Sequence, residues 1–168
     1  LQRGVEAVVG LDESRGVAEF LGEVLGAPFP DELSPRLRAA RQDAQVMAAR
    51  IEAAFIQYVQ SSLKQKPLLL LFDDLHWGDA ASVRIVDAAL RALAEQPFVV
   101  LAFARPEVHD RFPRLWSGRQ AQEILLQPLA RRACLELARS ALGEGLSSDQ
   151  MLAIVERSEG NAFYLEEL

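Results

Sequence analysis

A run of five apolar residues, Leu68 to Phe72, followed by two aspartates constrains the fold of this 168-residue chain more than any other feature. An apolar run of this length, with no polar alternation, predicts a strand that is buried on both faces. In open α/β sheets, ligands bind at the carboxyl ends of such strands. Asp73 and Asp74 are therefore candidate site residues. The alternative is an acidic turn, since Asp is common in turns and helix caps.

A second apolar run, Phe98 to Ala104, predicts a second buried strand. Between the two runs, Asp79 is a good cap for an amphipathic helix that extends to about Glu95. Two buried strands joined by such a helix form a βαβ unit, and its strands should be parallel and adjacent. Arg105 follows the second strand and should emerge at the same sheet edge as Asp73 and Asp74. The alternative for Arg105 is a structural ion pair with one of these aspartates.

The rest of the chain divides by its periodicity. Residues 1–66 have helical spacing, including a long helix for which Asp43 is the expected cap. Gln122 to Leu126 is a third strand candidate. From residue 129 onward the pattern is helical, and Asn161 is expected to cap the last helix. We therefore predict two domains, one over residues 1–128 that contains the helices of 1–66, and one over 129–168.

The composition bounds the function without naming it. A formal net charge of −6 gives no general basic surface for nucleic acid, and we interpret the local cluster of arginines at 36, 38 and 41 as a solvated helix face. Cys134 is the one cysteine, so an internal disulfide is impossible and a reduced, cytoplasmic setting fits. No apolar run approaches the ~20 residues of a membrane span.

Histidine and tryptophan residues offer few catalytic options. His76 and His109 are the two histidines, and with one cysteine they cannot build a zinc site of the usual composition. Neither lies in a recognisable nucleophile motif, so both are interpreted as structural loop residues. Trp77 and Trp116 are expected to anchor loop packing.

Three segments carry a resemblance to a known family: LLLLFDDLHWGD, LAFARPEVHDRFPRLW and GNAFYLEEL. Together they resemble the region from the Walker B strand through the helical lid of STAND-type, AAA-like ATPases. The resemblance extends from about Val17 to Leu168. It is greatest to large bacterial, myxobacterial-type regulators, in which a Ser/Thr kinase domain precedes the ATPase and helical repeats follow it. The implied fold is α/β, a partial P-loop NTPase with a three-layer parallel sheet, followed by the start of a helical lid.

The resemblance also implies residue roles. Asp73 corresponds to the acid that holds the Mg²⁺ of bound ATP, and Asp74 to the acid that orients the attacking water. Arg105 occupies the sensor-1 position, where a guanidinium can offset charge on the transferred phosphoryl group. Gly160 and Asn161 occupy the lid motif that approaches the nucleotide. The family usually has proline where this chain has Ala162, so the nucleotide contact there is weaker evidence than the cap.

One family motif does not occur in this chain. No GxxxxGK[ST] occurs, although that loop supplies the phosphate cradle and a Mg²⁺ ligand. Because the chain also begins with Leu1 and ends within a helical pattern, we expect it to be a segment of a longer protein with an upstream P-loop. The family's P-loop strand lies between the sensor-1 strand and the third strand. Its absence predicts either a gap in the sheet or direct pairing of those neighbours.

The expected function is part of an ATP-binding and ATP-hydrolysing cytoplasmic switch in a bacterial signalling or transcription-regulatory protein. Its expected partners are ATP or ADP and other domains of the parent chain, with self-association through a second copy as a further option. No direct contact with nucleic acid or membrane is expected. One alternative is a non-catalytic protein-interaction module that retains the fold. Another is a DNA-binding regulator, but no helix-turn-helix with a basic recognition helix is visible.

Overall fold

A computed structural model describes residues 1–32, 34–143 and 147–167 of the chain, with Glu166 described by its backbone alone. Two compact units divide the chain, Leu1–Ala121 and Gln122–Leu168, and each is described by itself. The helices are α1 Gln2–Val9, α2 Leu11–Val24, α3 Pro35–Arg41, α4 Ala44–Leu63, α5 Ala80–Ala92, α6 Val108–Arg111, α7 Arg131–Leu142, α8 Ser148–Ser158 and α9 Ala162–Glu166. The strands are β1 Leu68–Phe72 and β2 Phe98–Ala102, and a 3₁₀ turn spans Leu75–Trp77.

The two strands form a parallel pair, as the βαβ pattern predicts. Leu68 lies opposite Phe98 and Phe72 lies opposite Ala102, so the carboxyl ends of β1 and β2 coincide. The crossover between them contains α5, whose first turn is capped by Asp79 through a hydrogen bond from the backbone N–H of Ser82. This arrangement delivers the residues after both strands to one edge of the sheet.

Helices cover one face of the sheet and leave the other open. Leu70 and Val100 point into cores formed with α4, α5 and the segment around α6. The alternate positions on both strands are exposed, which is the period-two pattern of a half-buried sheet, so the prediction that these strands are buried on both faces is wrong. The exposed positions are Leu69, Leu71, Val99 and Leu101, and Phe103, which directly follows β2, is exposed as well. Within the described residues the third layer of the predicted architecture is not found, and the partial AAA-like fold stays a prediction.

The predicted third strand is wrong. Residues 122–126 have no strand pairing, and Ile124, Leu125 and Leu126 are exposed. Among the described residues the sheet has two strands, β1 and β2, so direct pairing of a third strand with β2 does not occur. An apolar run forms a strand only where a neighbour completes its backbone ladder, and among the described residues no strand pairs with this segment.

The helices of residues 1–63 pack around a separate core that contains a buried carboxylate. Asp43 caps α4 as predicted, accepting hydrogen bonds from the backbone N–H groups of Gln45 and Val46. Glu19 on α2 is 1% exposed. Its carboxylate accepts hydrogen bonds from the Ser34 hydroxyl at 2.8 Å and from the Arg36 guanidinium at 3.0 Å. A buried charge with several donors is compensated, so this group serves the fold.

The arginine cluster of α3 is exposed, as predicted, but most of its charge is neutralised by nearby acids. Arg36 pairs with Glu19, and Arg41 lies 2.7 Å from Glu23 and 3.4 Å from Asp31. The hydrogen bond to Glu23 raises the pKa of Arg41. A cluster that is paired with carboxylates offers little free charge to a phosphate backbone.

The second unit consists of α7, α8 and α9 around Cys134, Ala138, Met151, Val155 and Leu165. Ser147 caps α8 in a reciprocal capping box with Gln150. Asn161 caps α9 as predicted, accepting from the backbone N–H of Tyr164. None of the described helices combines the length and the apolar character that a membrane crossing requires.

Candidate functional site

The candidate site begins with the tight turn that follows β1. The carboxylate of Asp73 accepts a hydrogen bond from the backbone N–H of Asp74 at 3.0 Å. Asp74 has a left-handed backbone conformation, with φ 52° and ψ 41°. Such a conformation is uncommon for a residue other than Gly and is concentrated at functional sites. The turn places two exposed carboxylates at the carboxyl end of β1, a strand that is covered on one face.

Two hydrogen bonds fix this turn to the end of β2. The backbone N–H of Leu75 donates to the carbonyl of Phe103 at 2.9 Å. The backbone N–H of Arg105 donates to Nδ1 of His76 at 3.3 Å. The segment with Asp73 and Asp74 and the segment with Arg105 are therefore held together at one sheet edge. Sequence reasoning missed the second link, because a loop histidine gives no periodic signal.

The side chain of Arg105 remains available. It is exposed, and across the described parts of the chain no carboxylate lies within ion-pairing distance of its guanidinium. The structural alternative for this residue, an ion pair with Asp73 or Asp74, is therefore not observed. The backbone of Arg105 is held instead, because its N–H donates to His76 and its carbonyl accepts from the backbone N–H of Val108 at 3.0 Å.

A cleft of about 290 Å³ opens beside the two aspartates. Its walls combine the carboxylates of Asp73, Asp74 and Asp79 with the aromatic rings of Trp77 and Trp116. Apolar walls with a few convergent polar groups are typical of small-molecule sites. The cleft was not predicted, because it depends on loop residues whose packing is not encoded in hydrophobic periodicity.

The three carboxylates of the cleft are not equivalent. Both oxygens of Asp79 accept hydrogen bonds from Ser82, one from its backbone N–H at 2.9 Å and one from its hydroxyl. The Ser82 hydroxyl, together with that N–H, holds the pKa of Asp79 below its usual range. Asp79 is thus committed to capping α5. Asp73 and Asp74 accept no side-chain hydrogen bond from any described residue, so they keep oxygens for a ligand.

The two tryptophans differ. Trp116 is buried, and its ring lies 6.3 Å from that of Phe72, so it anchors packing as predicted. Trp77 is 71% exposed, so the same prediction is wrong for Trp77. The turn that Gly78 closes leaves the indole on the surface of the cleft. An exposed indole beside carboxylates offers a stacking surface to a planar ring.

Gly160 and Asn161 lie in the second unit. The side-chain oxygen of Asn161 is used by the backbone N–H of Tyr164 at 3.3 Å. Gly160 has φ +81°, and a Cβ there would lie 2.7 Å from Pro128 and 2.8 Å from the carbonyl of Leu129. Its carbonyl accepts from the backbone N–H of Leu129. Close backbone approach is sufficient to require Gly at this position.

The donor set of the edge suits Mg²⁺ accompanied by a phosphate ligand. Within the described residues no group of three or more His, Cys, Asp or Glu side chains could hold a metal ion. Mg²⁺ retains several waters and commonly binds one or two carboxylates together with substrate phosphates. Asp73 and Asp74 supply carboxylates of this kind, so the residues present fit a Mg·nucleotide and do not fit a resident metal held by protein alone.

Comparisons with known proteins add no relative. A scan against protein-family models, a search of curated proteins and a search of solved structures each find no match to this chain. The functional argument therefore rests on the residues and on their geometry.

Proposed function

We propose that this chain is the strand-edge half of an ATP-hydrolysing regulatory switch, of the STAND type, in the cytoplasm of a bacterium. The observation that supports it most is the placement of Asp73, Asp74 and an unpaired Arg105 after parallel strands whose carboxyl ends coincide. In open α/β sheets this is the edge at which ligands bind. Residues 1–128 would belong to the ATPase core, with 1–66 as a helical insertion, and 129–168 would begin the lid.

Each edge residue has a role that its chemistry can support. Asp73 would hold Mg²⁺, which neutralises charge on the transferred phosphoryl group when ATP is bound. Asp74 would accept a hydrogen bond from the attacking water and orient it. Arg105 would stabilise negative charge that develops on the phosphoryl group. In the lid, Gly160 and Asn161 would approach the nucleotide. Asn161 would do so in addition to capping α9.

This chain alone is not expected to bind ATP tightly. Affinity for a triphosphate comes mostly from the amides and lysine of a P-loop and from the helix that follows it. No such loop occurs in this sequence, and two exposed carboxylates repel phosphate until Mg²⁺ bridges them. The longer chain that includes this segment would supply the P-loop from an upstream region.

A non-catalytic interaction module is the second candidate, and the uncovered sheet face supports it. Leu69, Leu71 and Val99 form part of an exposed apolar surface on two strands. Parallel sheets are normally covered on both faces. Another domain of the parent chain, or a second copy, would satisfy this surface whether or not ATP is hydrolysed.

Phosphate release by the full-length protein tests the proposed function. Asp74→Asn keeps the side-chain shape and removes the acceptor charge, so turnover should fall by about 10²-fold or more at equal nucleotide occupancy. Asp110→Asn, which alters an exposed carboxylate on α6, is the matched control and should retain wild-type turnover. Equal rates for wild type and Asp74→Asn would mean that Asp74 has no role in hydrolysis and that the two aspartates only form a turn.

Calorimetry of the 168-residue chain with Mg·ATP provides the complementary measurement. The proposal predicts no saturable binding at micromolar concentrations. Tight binding would reveal a phosphate site within this sequence that does not depend on a P-loop.

A further inference from the structure

His76 occupies a position that neither loop packing nor the proposed roles explain. Its side chain is 6% exposed, within the 3₁₀ turn that directly follows Asp73 and Asp74. Its Nδ1 atom accepts the backbone N–H of Arg105. A backbone N–H is always a donor, so a neutral imidazole in this position must have its proton on Nε2.

The Nε2 atom of His76 is buried, and it has no hydrogen-bond partner within the described residues. The Oδ1 atom of Asp74 lies 3.9 Å away, just beyond hydrogen-bond distance. A buried N–H without an acceptor is destabilising, because it has lost its hydrogen bonds to water and gained none. The side chain of Asp74 is 54% exposed, and in the part of the chain that the structure describes it has no other side-chain partner, so a rotation of the carboxylate can bring it into contact.

We infer that His76 is a positioning residue for Asp74. When the site is loaded, the Nε2–H group donates to one oxygen of the Asp74 carboxylate while Nδ1 retains the backbone of Arg105. The other carboxylate oxygen then remains to accept from water. One imidazole thereby couples the acid after β1 to the backbone of the residue after β2. This inference rests on the proposed function, because it assigns His76 to the same site.

The alternative is that His76 only fastens its own turn to β2. In that case the Nδ1 contact matters and Nε2 does not. Two substitutions separate these roles, because Asn places its amide near the position of Nδ1 whereas Gln reaches the position of Nε2. His76→Asn can still accept from Arg105 but cannot contact Asp74. His76→Gln keeps a donor for Asp74.

Steady-state hydrolysis by the full-length protein gives the first test. His76→Asn should lower kcat by about 10- to 100-fold, as loss of an orienting hydrogen bond does around metal sites. KM for ATP should change little, because the ring of His76 does not line the cleft. His76→Gln should recover most of kcat. The opposite order, with Asn active and Gln inactive, would assign His76 to the turn alone and overturn the inference.

Nitrogen NMR of the ring gives a second, spectroscopic test. Long-range ¹H–¹⁵N spectra of the full-length protein, recorded with and without Mg·ATP, contain a His76 signal that is identified by its loss in His76→Gln. The inference predicts the Nε2–H tautomer for His76 in both states. It also predicts that Mg·ATP shifts the Nε2 signal, and that Asp74→Asn removes this shift while Asp110→Asn retains it.

These results separate the two claims. An Nδ1–H tautomer, or an Nε2 signal that Mg·ATP does not shift or shifts equally in Asp74→Asn, in a protein that hydrolyses ATP, overturns the role of His76 and leaves the proposed function standing. Absence of Mg²⁺-dependent hydrolysis by the full-length wild type overturns the proposed function, and the positioning role with it.

Discussion

Glu19 and Asp74, two carboxylates of the first unit, are treated in opposite ways by the fold. Glu19 is buried and accepts from Ser34 and Arg36, while Asp74 is exposed, has a left-handed backbone and receives no side-chain hydrogen bond within the described residues. Burial of a charge without partners would destabilise the fold, so the environment of Glu19 is fully accounted for by stability. No such account covers Asp74.

The arginines show the same contrast. Arg36 is paired with Glu19 at 3.0 Å, and Arg105 has no carboxylate partner in the described ranges. Arg36 and Glu19 of the helical region are therefore paired with one another. At the sheet edge, one cation and two carboxylates form no ion pair with one another among the described residues, and a buried histidine nitrogen has no acceptor. Polar groups that folding leaves unused are the ones available to a ligand.

The largest effect on stability is expected at Glu19. Glu19→Ala removes the acceptor for a buried hydroxyl and two guanidinium contacts, and should lower the free energy of unfolding by about 2–3 kcal/mol. Both arginines are about half exposed and can rehydrate, which limits the loss. Arg105→Gln should stay within about 0.5 kcal/mol of wild type. Urea denaturation measures the free energy of unfolding of both variants. Similar losses for Glu19→Ala and Arg105→Gln would contradict the distinction between a charge used by the fold and one that is not.

A substitution at Gly160 tests whether the fold requires glycine at a position that was predicted to approach the nucleotide. Gly160→Ala introduces a Cβ into contact with Pro128 and Leu129 at positive φ, and should cost about 1–3 kcal/mol. Gly4→Ala is the matched control, because nothing lies within 4 Å of its Cβ position and it is helical. That control should stabilise by a few tenths to about 1 kcal/mol. A neutral Gly160→Ala in thermal unfolding would leave nucleotide contact as the reason for Gly.

Asp79 shows that the sheet edge also contains a carboxylate used by the fold. Asp79→Ala removes the cap of α5 and should cost about 1 kcal/mol at pH 7. Because the pKa of Asp79 is lowered in the folded state, its contribution is present above the unfolded pKa of about 3.9 and declines as pH falls through the folded pKa.

Unfolding curves of wild type and Asp79→Ala at pH 7 and at pH 3 measure this dependence. The gap between the two proteins should narrow at the lower pH. A gap that is constant with pH would mean that the charge of Asp79 contributes nothing to the cap.

The sequence predicts the elements whose signals are local and periodic. The parallel strands, the caps at Asp43, Asp79 and Asn161, and the shared edge all follow from apolar runs and capping residues. The segment at 122–126 did not become a strand, because strand formation depends on a neighbour that no local pattern reports. The buried His76 and the exposed Trp77 depend on how two loops meet, which sequence spacing does not encode.

The central claim is that Asp74 is retained for chemistry and not for the fold, and the stability of Asp74→Gly tests it most directly. Gly adopts the left-handed conformation at φ 52° without strain, and the Asp74 side chain makes no hydrogen bond that the fold would lose. Urea denaturation of the 168-residue chain should therefore show a free energy of unfolding that is unchanged or raised by up to about 1 kcal/mol. A loss of more than about 1 kcal/mol would mean that the aspartate stabilises the turn, and would contradict the account.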